Sequence, residues 1–590
     1  MRKFFALAAL AALLLGITAC APTLSSNTPT NNAATPAPTS TPPPTRTTPT
    51  ARILRIGIAA YPDVLDPQRA VLGAEIHALK LAYEGLTNFD EQGNVISAGA
   101  DKWTLSPDGL QLTFHIRDDL KRADGTAITA RDYEYALKRA LDPRIPNKIN
   151  TNLLYDIKGA EEVDGLDPSK TKPDEIDRAL NNVGIKVADE RNLIITFKKP
   201  NGYWHAVAAT LAFFPTEKKA VDRDPDNWWM RPDAHNGNGA FVVKSIEQNK
   251  RIVLAPNPNY WRGKPKLDRL ELVYFPGGKG MLEAYKKGDL ELATHLTPDD
   301  LAASNADANL KSELVRAPVA LVYAIAFNAA RKPFDDRNVR VAFAQAFDRE
   351  GWVREVFKGN AKPYTRWLPP NLPGAQPDKP GAPKYDPKAA VQTLITNGYA
   401  AKDSTPDKPK VDCAKIGEVK LTYLASPANQ TRFGFLAANF AQVFGCPITL
   451  DPVSQLTARA TIKPQISLQG YLGDYAHPQN WLSGYWTCGA EFAAYYGYCN
   501  KDLDKILTAA GAERDQAKAL TLYQQAEDLI LKDAPAAFAN YAEAGALIKS
   551  YVLNVRERVG AFDTDWAGEW GPVWIYDVDL ARVPANYPPR

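Results

Sequence analysis

Cysteines, histidines, carboxylates and aromatics are the side chains with chemistry to offer, and their spacing decides which chemistry. Five cysteines occur, Cys20 near the N-terminus and Cys413, Cys446, Cys488 and Cys499 in the C-terminal third. The spacings C-x32-C and C-x10-C are not those of zinc sites. Without Cys20 four remain, an even number that reads as two disulfides in an exported chain. Three connectivities are open, and the local one, Cys413–Cys446 with Cys488–Cys499, is the expectation. The six histidines, at 77, 115, 205, 235, 295 and 477, never stand closer than 30 positions apart, so no helical or hairpin pair could grip a metal. No G-x-S-x-G elbow, H-E-x-x-H pair or Walker A loop is present. Gly237-Asn238-Gly239 lacks the third glycine of a dinucleotide fingerprint and reads as a turn. Acidic residues abound, and nothing in their spacing singles out a pair for glycoside hydrolysis. Residues 471–498 hold nine aromatics, Tyr471, Tyr475, Trp481, Tyr485, Trp486, Phe492, Tyr495, Tyr496 and Tyr498. Such a cluster is either packed core or a pocket wall, since Tyr and Trp offer apolar area with a polar edge.

The elements that must hold these residues are mixed α and β. Leu54, Ile56 and Ile58 alternate, as do Leu110, Leu112, Phe114 and Ile116, and Leu270, Leu272 and Tyr274. Each set predicts a strand with one buried face. Ile466–Leu472 reads as a further strand, running into Gly473-Asp474-Tyr475-Ala476-His477-Pro478. Thr129 with Asp132 three residues on is a capping box. Tyr133, Ala136, Leu137, Ala140 and Leu141 then make one apolar stripe, ended by Pro143. Val339, Ala342, Phe343, Ala346 and Phe347 make a second helix. Leu503, Ile506 and Leu507 start a third, and Ala517, Leu520 and Tyr523 a fourth that stops before Pro535. Pro-rich stretches at 362–388 and 403–410 read as surface connections.

Compartment is written at the N-terminus. Arg2-Lys3 precede a charge-free apolar run of 16 residues, Phe4 to Ala19, short for a spanning helix and right for a signal peptide. The run ends in small residues before Cys20, as in a lipobox, so residues 1–19 are expected to be removed and Cys20 acylated. Residues 20–51 are, after Cys20, Thr, Pro, Ser, Asn and Ala but for Leu24 and Arg46, with no apolar periodicity, the composition of a disordered tether. Lys plus Arg is 70 against 67 Asp plus Glu, a balance that gives no composition argument for nucleic-acid binding. The chain of 590 residues is long enough for two to four domains.

A set of landmarks then appears in order. Tyr83-Glu84-Gly85-Leu86 is followed by Trp103 to Gly109 and by Ala123-Asp124-Gly125-Thr126 through Asp132. Asn238-Gly239-Ala240-Phe241 precedes Asn257-Pro258-Asn259-Tyr260-Trp261. Phe327-Asn328 leads to Pro333-Phe334-Asp335-Asp336 and to Ala346-Phe347-Asp348-Arg349-Glu350. This ordered set, spanning about residues 52 to 560, closely resembles the solute-binding proteins of oligopeptide and dipeptide ABC importers, bacterial extracellular solute-binding protein family 5. The resemblance implies an α/β fold, a two-lobed periplasmic-binding-protein-like clamshell with an extra subdomain on lobe I. Lobe I would take 52–95, 230–310 and 535–590, the subdomain 96–229, and lobe II 311–534.

The resemblance also assigns roles. Peptide-binding members carry an aspartate where a strand enters a loop, and it pairs with the peptide's α-amino group. Asp474 matches that aspartate, and Gly470 and Leu472 match the positions whose backbone pairs with the peptide. By residue type rather than by resemblance, Tyr475 and Trp481 are the aromatics expected nearest the ligand. The implied function is a lipid-anchored receptor that catalyses no reaction and binds no cofactor or metal. It captures peptide between two lobes and delivers it to a permease with its ATPase subunits. It would stand as a monomer outside the cytoplasm, on the periplasmic side where an outer membrane exists. Other members of the family bind oligosaccharides or metal chelates, and an aromatic wall would suit a sugar ring equally.

Overall fold

Two long strands carry the architecture. The computed structural model describes residues 50–146, 148, 151–454, 463–556, 573–584 and 587. The expected signal peptide, Cys20 and all but the last two residues of the expected tether lie outside them. Leu314–Phe327 and Ala536–Ile548, 14 and 13 residues long, pair antiparallel down the middle of an eleven-stranded sheet. On one side follow Ile466–Leu472, Val419–Leu424 and Ile448–Val453. On the other follow Leu292–Ala293, Ile53–Ile58, Arg269–Tyr274, Arg251–Pro256 and Phe241–Glu247. Ala361–Pro363 adds to the outer side of Ala536–Ile548. The two flanks form the two lobes, and the long strands run through both. Their register breaks between Pro318 and Val322. Proline has no N–H to give a ladder, so Pro318 cannot donate to the pairing beside this break, and a second shift falls between Tyr323 and Ala324.

The strands predicted from alternation all form. Gln111–Ile116 alternates cleanly between exposed and buried residues. Ile53–Ile58 differs from its expectation, being buried on both faces except at Arg55. It lies inside the sheet with parallel neighbours on each side, Arg269–Tyr274 and Leu292–Ala293, and central parallel strands are covered on both faces.

Beside the first lobe, four strands, Ala100–Leu105, Gln111–Ile116, Asn192–Thr196 and Ile185–Val187, make a separate sheet backed by the helix Ala130–Leu141. The capping box at Thr129 and Asp132 starts that helix, and all five residues of its stripe are buried. Arg139 on this helix donates to both oxygens of Asp66 at 2.6 Å, with Asp66 fully buried and also receiving the Trp228 indole N–H. This fork-to-fork pair fixes the subdomain to the first lobe.

Both disulfides close locally, Cys413–Cys446 and Cys488–Cys499. Among the described residues no helix is long and apolar enough to cross a membrane. Loop-closure entropy ranks the two bridges by the chain they enclose, 33 against 11 residues of separation. Replacing Cys413 and Cys446 by Ser should cost about 3–4 kcal/mol, and replacing Cys488 and Cys499 about 2–3 kcal/mol, in urea unfolding.

Candidate functional site

The strand Ile466–Leu472 has one satisfied edge and one open edge. Along its length it pairs with Leu314–Phe327, from Ile466 opposite Phe327 to Leu472 opposite Leu321. On its other side it meets Val419–Leu424 only where Ile466 faces Leu421, and the two strands then diverge. Asn328 donates to the carbonyl of Gln465 at 2.8 Å, so the odd-numbered residues point their backbone groups at Leu314–Phe327. The even ones, Leu468, Gly470 and Leu472, therefore turn N–H and C=O to the open edge. Gly470 and Leu472 are exposed, Leu472 to 36%. This is the edge that an extended chain could join through main-chain hydrogen bonds.

Asp474 stands at the end of that edge, in a turn built to hold it. Gly473 is there because a Cβ would overlap the indole of Trp481 directly below. The backbone N–H of Asp474 donates to Asn480 Oδ1 at 2.7 Å, and Asn480 Nδ2 donates back to the carboxylate at 3.1 Å. The Tyr471 hydroxyl donates to the same Asn480 Oδ1 at 3.0 Å. His477 caps the following helix, Pro478–Trp486, by accepting from Gln479 N–H. Burial pushes the His477 imidazole down to about 3, so it acts as a neutral cap.

Support comes from a stretch read in the sequence as a surface connection. Arg366, Trp367 and Leu368 lie in the core instead, because Glu527, fully buried, draws them in. Glu527 accepts from the N–H groups of Trp367 and Leu368 at 2.9 and 2.8 Å and from Arg366 Nε at 2.8 Å. Trp367, so placed, donates its indole N–H to the carbonyl of Trp481 at 2.7 Å.

The carboxylate of Asp474 is half-buried, and Asn480 supplies its one side-chain hydrogen bond. Among the described residues no Lys, Arg or His pairs with it. Desolvation therefore raises its pKa above the ordinary aspartate range, against the smaller opposing pull of Asn480. A carboxylate withdrawn from water without a cation is a ready partner for an ammonium group. Among the described residues no cluster of His, Cys, Asp and Glu could hold a metal.

Of the other residues expected at the ligand, Tyr475 and Trp481 lie inside the protein, 3% and 0% exposed. Trp481 forms the floor under Gly473 and meets Tyr471 edge-on at 6.0 Å. Tyr485, Trp486, Tyr496 and Tyr498 are buried with it, so most of the aromatic run is core. Asn480, Gln479, Trp367 and Glu527 escaped the sequence reading. Asn480 and Gln479 lie in the same loop, but Trp367 and Glu527 are separated from it by stretches of chain that carry no local signal.

The model for "Bacterial extracellular solute-binding proteins, family 5 Middle" matches residues 94–493, more than half of the chain. The chain belongs to this family. The dipeptide-binding protein DppE of Bacillus subtilis is 28% identical over 522 residues, covering 88% of this chain and 92% of its own. The oligopeptide-binding protein OppA of the same organism is 26% identical over 497 residues, covering 82% and 86%. Among solved structures, the unliganded open form of MppA, the murein tripeptide binding protein of Escherichia coli, superposes with a TM-score of 0.75 at 24% identity, over 91% of this chain and 99% of its own. The two-lobed fold of these family 5 proteins is thus the fold of this chain.

The turn before Asp474 makes a direct prediction. Gly473→Ala must displace the Trp481 ring or the loop above it, at about 1–3 kcal/mol in urea unfolding. Stability equal to the parent protein would show that Trp481 does not fix this turn.

Proposed function

We propose that this chain is an extracytoplasmic receptor that captures peptides between its lobes and hands them to an ABC-importer permease and its ATPase subunits. One observation carries the reading: a half-buried carboxylate without a cation, Asp474, at the end of an open strand edge. A peptide offers the matching chemistry, an ammonium group at one end and main-chain donors and acceptors every residue after it. Gly470 and Leu472 would bond that main chain, and Asp474 the amino group. Because the contacts go to atoms every peptide has, side chains vary freely. The names of DppE, OppA and MppA, which bind dipeptides, oligopeptides and murein tripeptide, favour the same reading. Most of the aromatics that would have made a sugar platform are committed to the core.

The proposal extends to the rest of the chain. Residues 1–19 are a signal peptide, Cys20 is the acylated anchor, and residues 20–51 are the tether that keeps the globule near its membrane partner. Lobe I takes 52–95, 230–310 and 535–590, the subdomain 96–229 and lobe II 311–534. The protein works as a monomer and needs no cofactor.

Calorimetry with trialanine and N-acetyl-trialanine tests the site. The free amine should bind the more tightly, and Asp474→Ala should cost it roughly 2–5 kcal/mol. Asp474→Asn should weaken binding without lowering Tm, because it removes a charge the ligand-free protein leaves unpaired. Equal affinity of Asp474→Ala and the parent would remove Asp474 from the site.

The raised pKa of Asp474 sets a pH dependence. In the free protein its pKa lies above the ordinary carboxylate range, and an ammonium partner would lower it. Binding then releases a proton wherever the pH lies between the two values, and affinity rises with pH there. Affinity for trialanine should fall as the pH drops into the carboxylate range. The acetylated peptide, which has no ammonium to pair, should not share that dependence.

A further inference from the structure

Among the described residues the subdomain meets the second lobe along a seam that includes the loop behind Asp474. Tyr203 of the subdomain is 8% exposed. Its hydroxyl donates to Asp156, itself on the subdomain, and accepts from Gln479 Nε2 at 3.0 Å. Gln479 in turn accepts from the hydroxyl of Tyr475, the residue next to Asp474. Asn201 holds Asp156 from the side at 2.9 Å. The Tyr203 ring stacks on His477, centroids 5.7 Å apart, and His477 meets Tyr523 edge-on at 5.5 Å. Beside them the N–H of Gly202 donates to the carbonyl of Gly511 at 2.7 Å, and a Cβ on Gly202 would overlap the carbonyl oxygen of Glu513. Arg514 completes the seam by donating to the carbonyl of Pro107 at 3.2 Å.

The hydrogen bonds run in one direction without a break. Tyr475 donates to Gln479, Gln479 to Tyr203, and Tyr203 to Asp156. A charged acceptor at the far end strengthens each donor behind it. The subdomain is also pinned to the first lobe by the buried Arg139–Asp66 pair. It therefore touches both lobes, with a fixed attachment on one side and this seam on the other. The loop it grips, 475–480, contains the Asn480 that orients the Asp474 carboxylate.

We infer that the subdomain is a working part of the ligand site, with Tyr203 as a positioning residue that sets the Asp474 loop through Gln479 and Tyr475. This rests on the peptide reading above. It adds that amine recognition in the second lobe depends on residues 156 and 202–203, which lie outside that lobe and more than 270 positions before Asp474. Tyr203 needs no contact with the ligand.

Tyr203→Phe keeps the ring on His477 and removes only the hydroxyl, so it separates positioning from packing. Affinities for trialanine and N-acetyl-trialanine are measured on the full chain alongside Tm. The variant should bind the free amine roughly tenfold more weakly, the effect of about one hydrogen bond, and leave the acetylated peptide unchanged. Equal weakening of both peptides, or unchanged affinity for both, would overturn the inference. Binding of neither peptide by the parent protein would overturn the peptide reading instead. The seam is then read without ligand, from the distance between spin labels on the subdomain and the second lobe. Gly202→Ala should lengthen and broaden that distance. A distribution identical to the parent's would show that the seam does not hold the two parts together.

Discussion

A carboxylate held partly out of water with no counter-charge is the constraint around which the second lobe is arranged. Asp474 and Glu527 make the comparison within one molecule. Glu527 is fully buried, and its oxygens are taken by two backbone N–H groups and by Arg366. Nothing is left for a ligand, and its work is structural. Asp474 is less buried and has one amide as partner. The desolvation cost it carries is met only in part by Asn480, and on the proposed reading a ligand's ammonium would offset the rest. The same functional group is thus a saturated brace in one place and keeps open acceptor capacity in the other, and the number of donors around it decides which.

That difference has to be maintained by geometry. Asn480 must orient the carboxylate without neutralising it, Trp481 must floor the turn, and Trp367 must hold the carbonyl of Trp481. These supports rest on Arg366 and Glu527, which are satisfied and buried. The open strand edge is maintained in a similar way. Val419–Leu424 joins Ile466–Leu472 at a single residue pair and takes its other ladder, from Val419 to Leu424, with Ile448–Val453. A full ladder to both neighbours would have closed the edge. A sheet that leaves an internal gap beside its own core invites pairing with a foreign chain, and here the gap lies between the lobes' connecting strands and the sheet's outer pair rather than on the molecular rim.

How far the sequence disclosed this depends on the range of the interaction concerned. Local rules were sufficient for the capping box at Thr129 and the stripe from Tyr133 to Leu141. They also sufficed for the alternation in Gln111–Ile116, because each is decided by neighbours within a few residues. They were insufficient for Ile53–Ile58, since alternation cannot report a second covered face supplied by Met281 and Leu290, more than 200 positions away. They misread 362–388, where prolines signal a loop but Glu527 pulls Arg366 to Leu368 inside. Asp474, Gly470 and Leu472 were reached through family resemblance, since an aspartate before a tyrosine in a loop has no signature of its own. Trp481 and Tyr475 were placed at the ligand on residue type. Type does not distinguish a pocket wall from the packing that holds the wall up.

Distance along the chain also explains why the site belongs to the assembled molecule and to no one segment. The loop at 473–480 is supported by 366–367, by 527 and by Asp156 with Tyr203. These segments share no element and no local motif. Two of them, 366–367 and 527, are fixed within the second lobe, whereas 156 and 203 come from a subdomain pinned to the first. If the lobes close on a ligand, the subdomain cannot be a bystander. Either the seam at Tyr203 turns with the hinge, or it opens against the hydrogen bonds that run from Tyr475 to Asp156. In both cases the orientation of the Asp474 loop and the angle between the lobes are tied through the same side chains. On the proposed reading a ligand that fixes one would fix the other, which is the coupling a receptor needs if its partner is to recognise the occupied form by shape.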